Sequence, residues 1–95
     1  MKHIEHSPSR IGDLAEHYAI TWLWDKGYHV FKNSGCTGPI DIIALKPSGE
    51  LVYIDVKSYK DGRLSARTPQ QKKLGVQYLH YNSKTRKWRF VDHRK

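Results

Sequence analysis

The stretch Ile40-Asp41-Ile42-Ile43-Ala44-Leu45-Lys46-Pro47-Ser48-Gly49-Glu50-Leu51-Val52-Tyr53-Ile54-Asp55-Val56-Lys57-Ser58 decides the fold. Residues 40–45 are apolar on both faces but for one acid, the mark of a strand covered on both sides. Lys46 to Glu50 is rich in turn residues, and residues 51–58 form a second strand-like run. So short a connection makes the two runs an antiparallel hairpin. Three charges interrupt it: Asp41, Asp55 and Lys57. Strand side chains alternate faces, so Asp55 and Lys57 project from one side, with Tyr53 and Leu51 behind them. An uncompensated charge in such a strand costs several kcal/mol. Either a structural ion pair with Lys57 compensates the acids, or the carboxylates converge on a divalent cation and the lysine faces a reaction centre.

Upstream, residues 9–26 read as a helix. Ser9 is placed to cap it, and Ile11, Leu14, Ala15, Tyr18, Ala19, Trp22 and Leu23 form one apolar stripe before Gly27 ends it. Glu16 lies on the flank of that stripe with Gly12, Ala19 and Leu23, where it is either an ordinary boundary glutamate or a third acid for the site. Trp24 points away from the stripe, as an interface anchor or as a half-covered ring. Tyr28 to Lys32 reads as a short strand and residues 33–39 as a loop.

Downstream, Tyr59 to Arg67 is a polar loop. Thr68, Pro69 and Gln71 open a second helix, with Gln71 where a capping box puts it. Leu74, Tyr78 and Tyr81 share one side of that helix, which is expected to end near Asn82. Lys87 to Asp92 alternates as a last strand. The order is α-β-β-β-α-β in one α/β domain over residues 1–95, a mixed sheet flanked by helices, with residues 1–8 a flexible start.

The composition, 38% hydrophobic and 27% charged, is that of a globular chain. The single cysteine, Cys36, excludes an intrachain disulfide and a cysteine-based zinc site. No signal-like or membrane-length apolar run is present, so a cytoplasmic protein without membrane contact is expected. The net charge of +8 is unevenly divided. Residues 1–56 carry five Lys/Arg against seven Asp/Glu, and residues 57–95 twelve against two. That segregation suggests a polyanion-binding face beside an acidic region.

Ile11-Gly12-Asp13-Leu14-Ala15-Glu16, Lys26-Gly27-Tyr28, Gly38-Pro39-Ile40-Asp41-Ile42-Ile43-Ala44 and Asp55-Val56-Lys57-Ser58, in that order and spacing, resemble the PD-(D/E)XK nuclease superfamily. Within it the chain looks most like archaeal-type Holliday junction resolvases and their phage relatives. The resemblance implies a restriction-endonuclease-like core and a Mg²⁺-dependent DNA endonuclease, with Mn²⁺ able to substitute, that leaves 5′-phosphates. It makes Asp41, Asp55 and the Val56 carbonyl metal ligands, with Glu16 holding the metal directly or through water. Lys57 would orient or deprotonate the attacking water. Gln71 matches a polar residue that positions the lysine or the phosphate, a role that competes with simple helix capping. Two departures are visible: Ile40 separates Pro39 from Asp41, and the last acid is Asp55 rather than Glu.

Arg63, Arg67, Lys72, Lys73, Arg86, Lys87 and Arg89 are candidates for phosphate contacts, which position DNA without reading its sequence. A junction resolvase needs two sites related by two-fold symmetry, so this subfamily implies a homodimer on branched or four-way DNA, with Trp24 the candidate contact. The rival readings are a flap, repair, homing or restriction-like nuclease on the same fold, and a non-catalytic DNA-binding module.

Overall fold

The computed structural model describes residues 7–34, 38–58, 66–82 and 84–91. Its first helix, α1 (Pro8–Asp25), starts one residue before the expected position. Ser7 rather than Ser9 is the cap, its hydroxyl accepting from the Arg10 N–H at 3.2 Å. The reason is Pro8: a proline suits the first helical position because it lacks the N–H that would go unbonded there. The helix closes through Lys26 and Gly27, whose N–H groups donate to the Leu23 and Trp24 carbonyls, and Gly27 takes φ 88°.

The hairpin forms as its alternation dictates. Strand β1 (His29–Lys32) pairs antiparallel with β2 (Ile42–Leu45), and β2 pairs antiparallel with β3 (Leu51–Ser58). Ile42 faces Ile54 and Ala44 faces Val52, a register that places Asp41 across from Asp55. A short helix α2 (Pro69–Leu74) then leads to β4 (Gln77–Asn82), which lies parallel to β3. Strand β5 (Lys87–Phe90) closes the five-stranded mixed sheet antiparallel to β4, in the order β1-β2-β3-β4-β5.

The second helix is shorter than its spacing suggested. It ends at Leu74 because Gly75 adopts the left-handed conformation, φ 71° and ψ 30°, with its N–H on the last-turn carbonyls. Tyr78 and Tyr81 therefore lie on β4, not on a helix, and Leu74 is exposed. The α-β-β-β-α-β core is completed by β4, and residues 87–90 add a seventh element.

One face of the sheet buries α1. Ala19 and Leu23 pack on Ile42, Ala44, Val52, Ile54 and Leu79, all buried. Tyr53, Asp55 and Lys57 point to the other face, toward α2. Among the described residues, no helix is long and apolar enough to cross a membrane.

Candidate active site

Asp41 sits where the chain enters β2, just beyond the last rung of the β2–β3 ladder. Its backbone is fixed on both sides: its N–H donates to the Ile54 carbonyl and its own carbonyl accepts from the Asn33 N–H, each at 2.9 Å. The Val56 N–H, which has no β2 backbone acceptor at this point, donates instead to Asp41 Oδ2 at 2.9 Å. A strand residue's N–H and C=O face the same neighbour, so the Val56 carbonyl also looks toward Asp41. The Asn33 side-chain amide holds the preceding Ile40 carbonyl at 2.9 Å, which pins the loop that delivers the acid.

Asp55 is nearly buried, and its Oδ2 gathers the hydrogen-bond donors of the site. Gln71 Nε2 donates to it at 2.7 Å, and Lys57 Nζ lies 3.3 Å away. The same Gln71 nitrogen reaches the Pro39 carbonyl at 3.1 Å. Its other end, Oε1, accepts from the Thr68 N–H at 3.0 Å and completes the capping box. Capping and site contact are thus not alternatives for Gln71: one amide does both, its oxygen for the helix and its nitrogen for the acid.

Two further residues complete the surroundings. The Tyr78 hydroxyl donates to Gln71 Oε1 at 3.4 Å, and its ring lies under Lys57 Nζ at 5.1 Å. His80, buried, is the β4 partner of Lys57 in the register. The sequence assigns neither to the site, since both fall in the stretch expected to be helical, where Tyr78 reads as part of an apolar side. The signal that would have found them is Gly75, followed by the alternation of Val76, Tyr78 and His80.

Burial pushes the Asp41 carboxyl up to about 7, helped by a hydrogen bond and repulsion from Asp55 and by the charge of Glu16; the Val56 N–H works in the opposite sense. Asp41 and Asp55 therefore lie within hydrogen-bonding reach of each other. Glu16, half-buried on α1, acts on Asp41 through its charge. Among the described residues, no group of three or more Asp, Glu, His or Cys side chains is gathered as a metal centre. The oxygen donors brought together are two carboxylates and the Val56 carbonyl. Hard oxygen donors with two carboxylates side by side suit a divalent cation of the Mg²⁺ type.

The basic candidates divide. Arg67 is tied to the Val76 carbonyl at 3.1 Å, and Lys72 and Lys73 are exposed on α2. Lys87 and Arg89 are exposed on β5, with Arg89 opposite His80 on the same face as Lys57, while Arg86 is exposed in the preceding turn. Arg63 lies outside the described residues, as does Cys36. Trp24 is 62% exposed, in keeping with its position opposite the stripe.

The model of the uncharacterised protein family UPF0102 matches residues 15–92, most of the chain. The chain belongs to the UPF0102 family. UPF0102 proteins of Bifidobacterium longum subsp. infantis and of Bifidobacterium longum are each 35% identical to it over 54 residues. The match covers 55% of this chain and 44% of each relative, so it spans less than half of their length. In structure, this UPF0102 chain is similar to the bacterial homing endonuclease I-Ssp6803I, with a TM-score of 0.67 and 21% identity. That likeness covers 92% of this chain and 66% of the other, and it is a likeness of fold. The shared architecture is the restriction-endonuclease-like mixed sheet with helices that the motifs of the chain imply.

Proposed function

We propose that this UPF0102 chain is a metal-dependent DNA endonuclease acting on branched DNA. The observation that carries this reading is the convergence of Asp41, Asp55, Lys57 and Gln71 at one end of the β2–β3 hairpin. A mere binder of DNA gains nothing from two acids pressed together beside a basic face. Asp41, Asp55 and the Val56 carbonyl would hold Mg²⁺, or Mn²⁺ in its place. When bound, the ion supplies Lewis acidity at a phosphate oxygen and offsets the two negative charges.

The chain's own residues do the rest. Lys57, steadied by Asp55 and the Tyr78 ring, presents its ammonium to a non-bridging phosphate oxygen, where negative charge builds as water attacks phosphorus. Gln71 keeps Asp55 in place through the reaction. The bond from phosphorus to the 3′ oxygen breaks, that oxygen takes up a proton, and a 5′-phosphate is left. Lys72, Lys73, Arg86, Lys87 and Arg89 position the duplex by its phosphates.

The finer reading is resolution of four-way junctions by a homodimer that joins through Trp24, in the cytoplasm of a prokaryotic or phage-infected cell. The test is nicking of a four-way junction, a flap and a linear duplex in Mg²⁺, Mn²⁺ or EDTA by wild type and Asp55→Ala. Branched DNA cut only with metal, and by Asp55→Ala at least about 10²-fold more slowly, is the expected result. Equal cutting by both proteins overturns the assigned site; binding without any cutting leaves a DNA-binding module.

A further inference from the structure

On the sheet face opposite Lys57, an open groove of about 790 Å³ runs between α1 and strands β4–β5. Its size falls within the roughly 300–1,000 Å³ of ligand clefts. Four aromatic rings line it. Trp22 stacks on Trp88 at 5.9 Å between centroids, Tyr81 meets Trp88 at 4.5 Å, and Tyr18 meets Tyr81 at 5.9 Å. These rings are not sealed into the core: Tyr18 is 48% exposed and the other three are half-buried.

The groove is lined by one cation and one acid, with a second cation beside it. Arg86 lines the groove from a turn in which Asn82 Oδ1 accepts from the Lys84 and Thr85 N–H groups, and Asp25 is the acid on the opposite side. Lys26 Nζ lies 4.5 Å from the Trp22 ring centre. Arg86 itself holds φ 59°, a conformation that disfavours any side chain with a Cβ.

The groove lies on the other face of the sheet from Lys57, one residue removed from the candidate site along two elements. Tyr81 is the β4 partner of Ser58, the residue after Lys57, and Ala15, another lining residue, precedes Glu16. Among the described residues the buried Ser58 hydroxyl has no hydrogen-bond partner. Strand β5 serves both faces: Trp88 and Phe90 turn to α1, while Lys87 and Arg89 turn to the side of Lys57.

We infer that this groove holds unpaired nucleobases of a single-stranded arm of the DNA being cut, stacking them on Tyr18, Tyr81 and Trp88 while Arg86 meets the phosphate. Every base has a face to stack, so such a platform accepts single strands of any sequence and has no use for a closed duplex. The inference rests on the nuclease reading and deepens it. It shifts the preferred substrate toward branched DNA with a single-stranded arm, such as flaps and splayed forks, and away from the fully paired junction.

The test is fluorescence anisotropy in EDTA, with labelled oligo(dT) of about twelve nucleotides and a duplex of the same length. Wild type, Tyr18→Leu and Trp88→Leu are compared, each checked by thermal melting. The expected result is oligo(dT) binding weakened roughly tenfold by either change, with duplex binding altered by less than about twofold. Should Trp88→Leu fail to fold, the exposed Tyr18 carries the comparison alone. Oligo(dT) bound equally by all three proteins overturns the inference. So does a change in sedimentation of Tyr18→Leu without a change in oligo(dT) binding, which makes the groove a seat for a second copy. A wild type that cuts no DNA yet binds oligo(dT) through Tyr18 ends the nuclease reading and leaves the groove standing.

Discussion

Gln71 is the residue on which structure and chemistry meet. Its two ends can be separated by substitution. Gln71→Glu keeps an oxygen for the Thr68 N–H but turns a carboxylate toward Asp55; Gln71→Leu removes both bonds. Were the residue only a cap, Gln71→Glu would behave as wild type. The double contact predicts instead a stability loss of about 1–3 kcal/mol at pH 8 for Gln71→Glu, read from urea unfolding. Asp41 supplies a second prediction. Its carboxyl rises from an ordinary value of 3.8 to about 7 in the folded protein. Between those values the folded state holds a proton that the unfolded chain has released, so metal-free stability is full below about pH 4 and falls as pH rises toward 7. A pH series of unfolding curves in EDTA should slope downward over that window, and saturating Mg²⁺ should flatten it by favouring the charged form. An upward slope without metal would refute the acid pair as described.

At the scale of elements, Gly75 sets the length of α2 and with it the existence of β4. A Cβ added there meets nothing within 4 Å, so a substitution is opposed by the backbone alone. Gly75→Ala should cost about 1 kcal/mol in urea unfolding and Gly75→Asn less, because asparagine tolerates the left-handed conformation. Equal stability of all three proteins would place the helix stop elsewhere. The hairpin was legible because its alternation and turn residues point the same way, and so were Asp41, Asp55 and Lys57, charges in otherwise apolar strands. The capping box of Thr68 and Gln71 was equally plain. Strand β4 was not, because Leu74, Tyr78 and Tyr81 fall at helical spacing while Val76, Tyr78 and His80 fall at strand spacing. The glycine breaks that tie, and reading past it hid Tyr78 and His80 from the site. The contact of Gln71 with Asp55 was visible only as a choice between roles, since it depends on a parallel crossover that local patterns do not encode.

For the whole molecule, charge would govern the encounter with DNA that the proposed function requires. With twelve Lys/Arg against two acids after residue 56, affinity should fall steeply with salt, by as much as ~10³-fold between 50 and 200 mM NaCl if six or more phosphates are met. A flat salt response in anisotropy titrations would mean that the basic half does not face the duplex. Assembly is a separate matter: Trp24→Glu should convert a sedimenting dimer to monomer with an unchanged melting temperature, and a wild type that sediments as a monomer removes Trp24 from any interface. Finally, α2 has only six residues, too few to persist unaided, and among the described residues its buried side chain is Gln71, which holds it to Asp55. Warming should therefore cast that turn adrift while the sheet is still whole. Catalysis would then fail several degrees before the fold does, and the lost turnover would return at once on cooling.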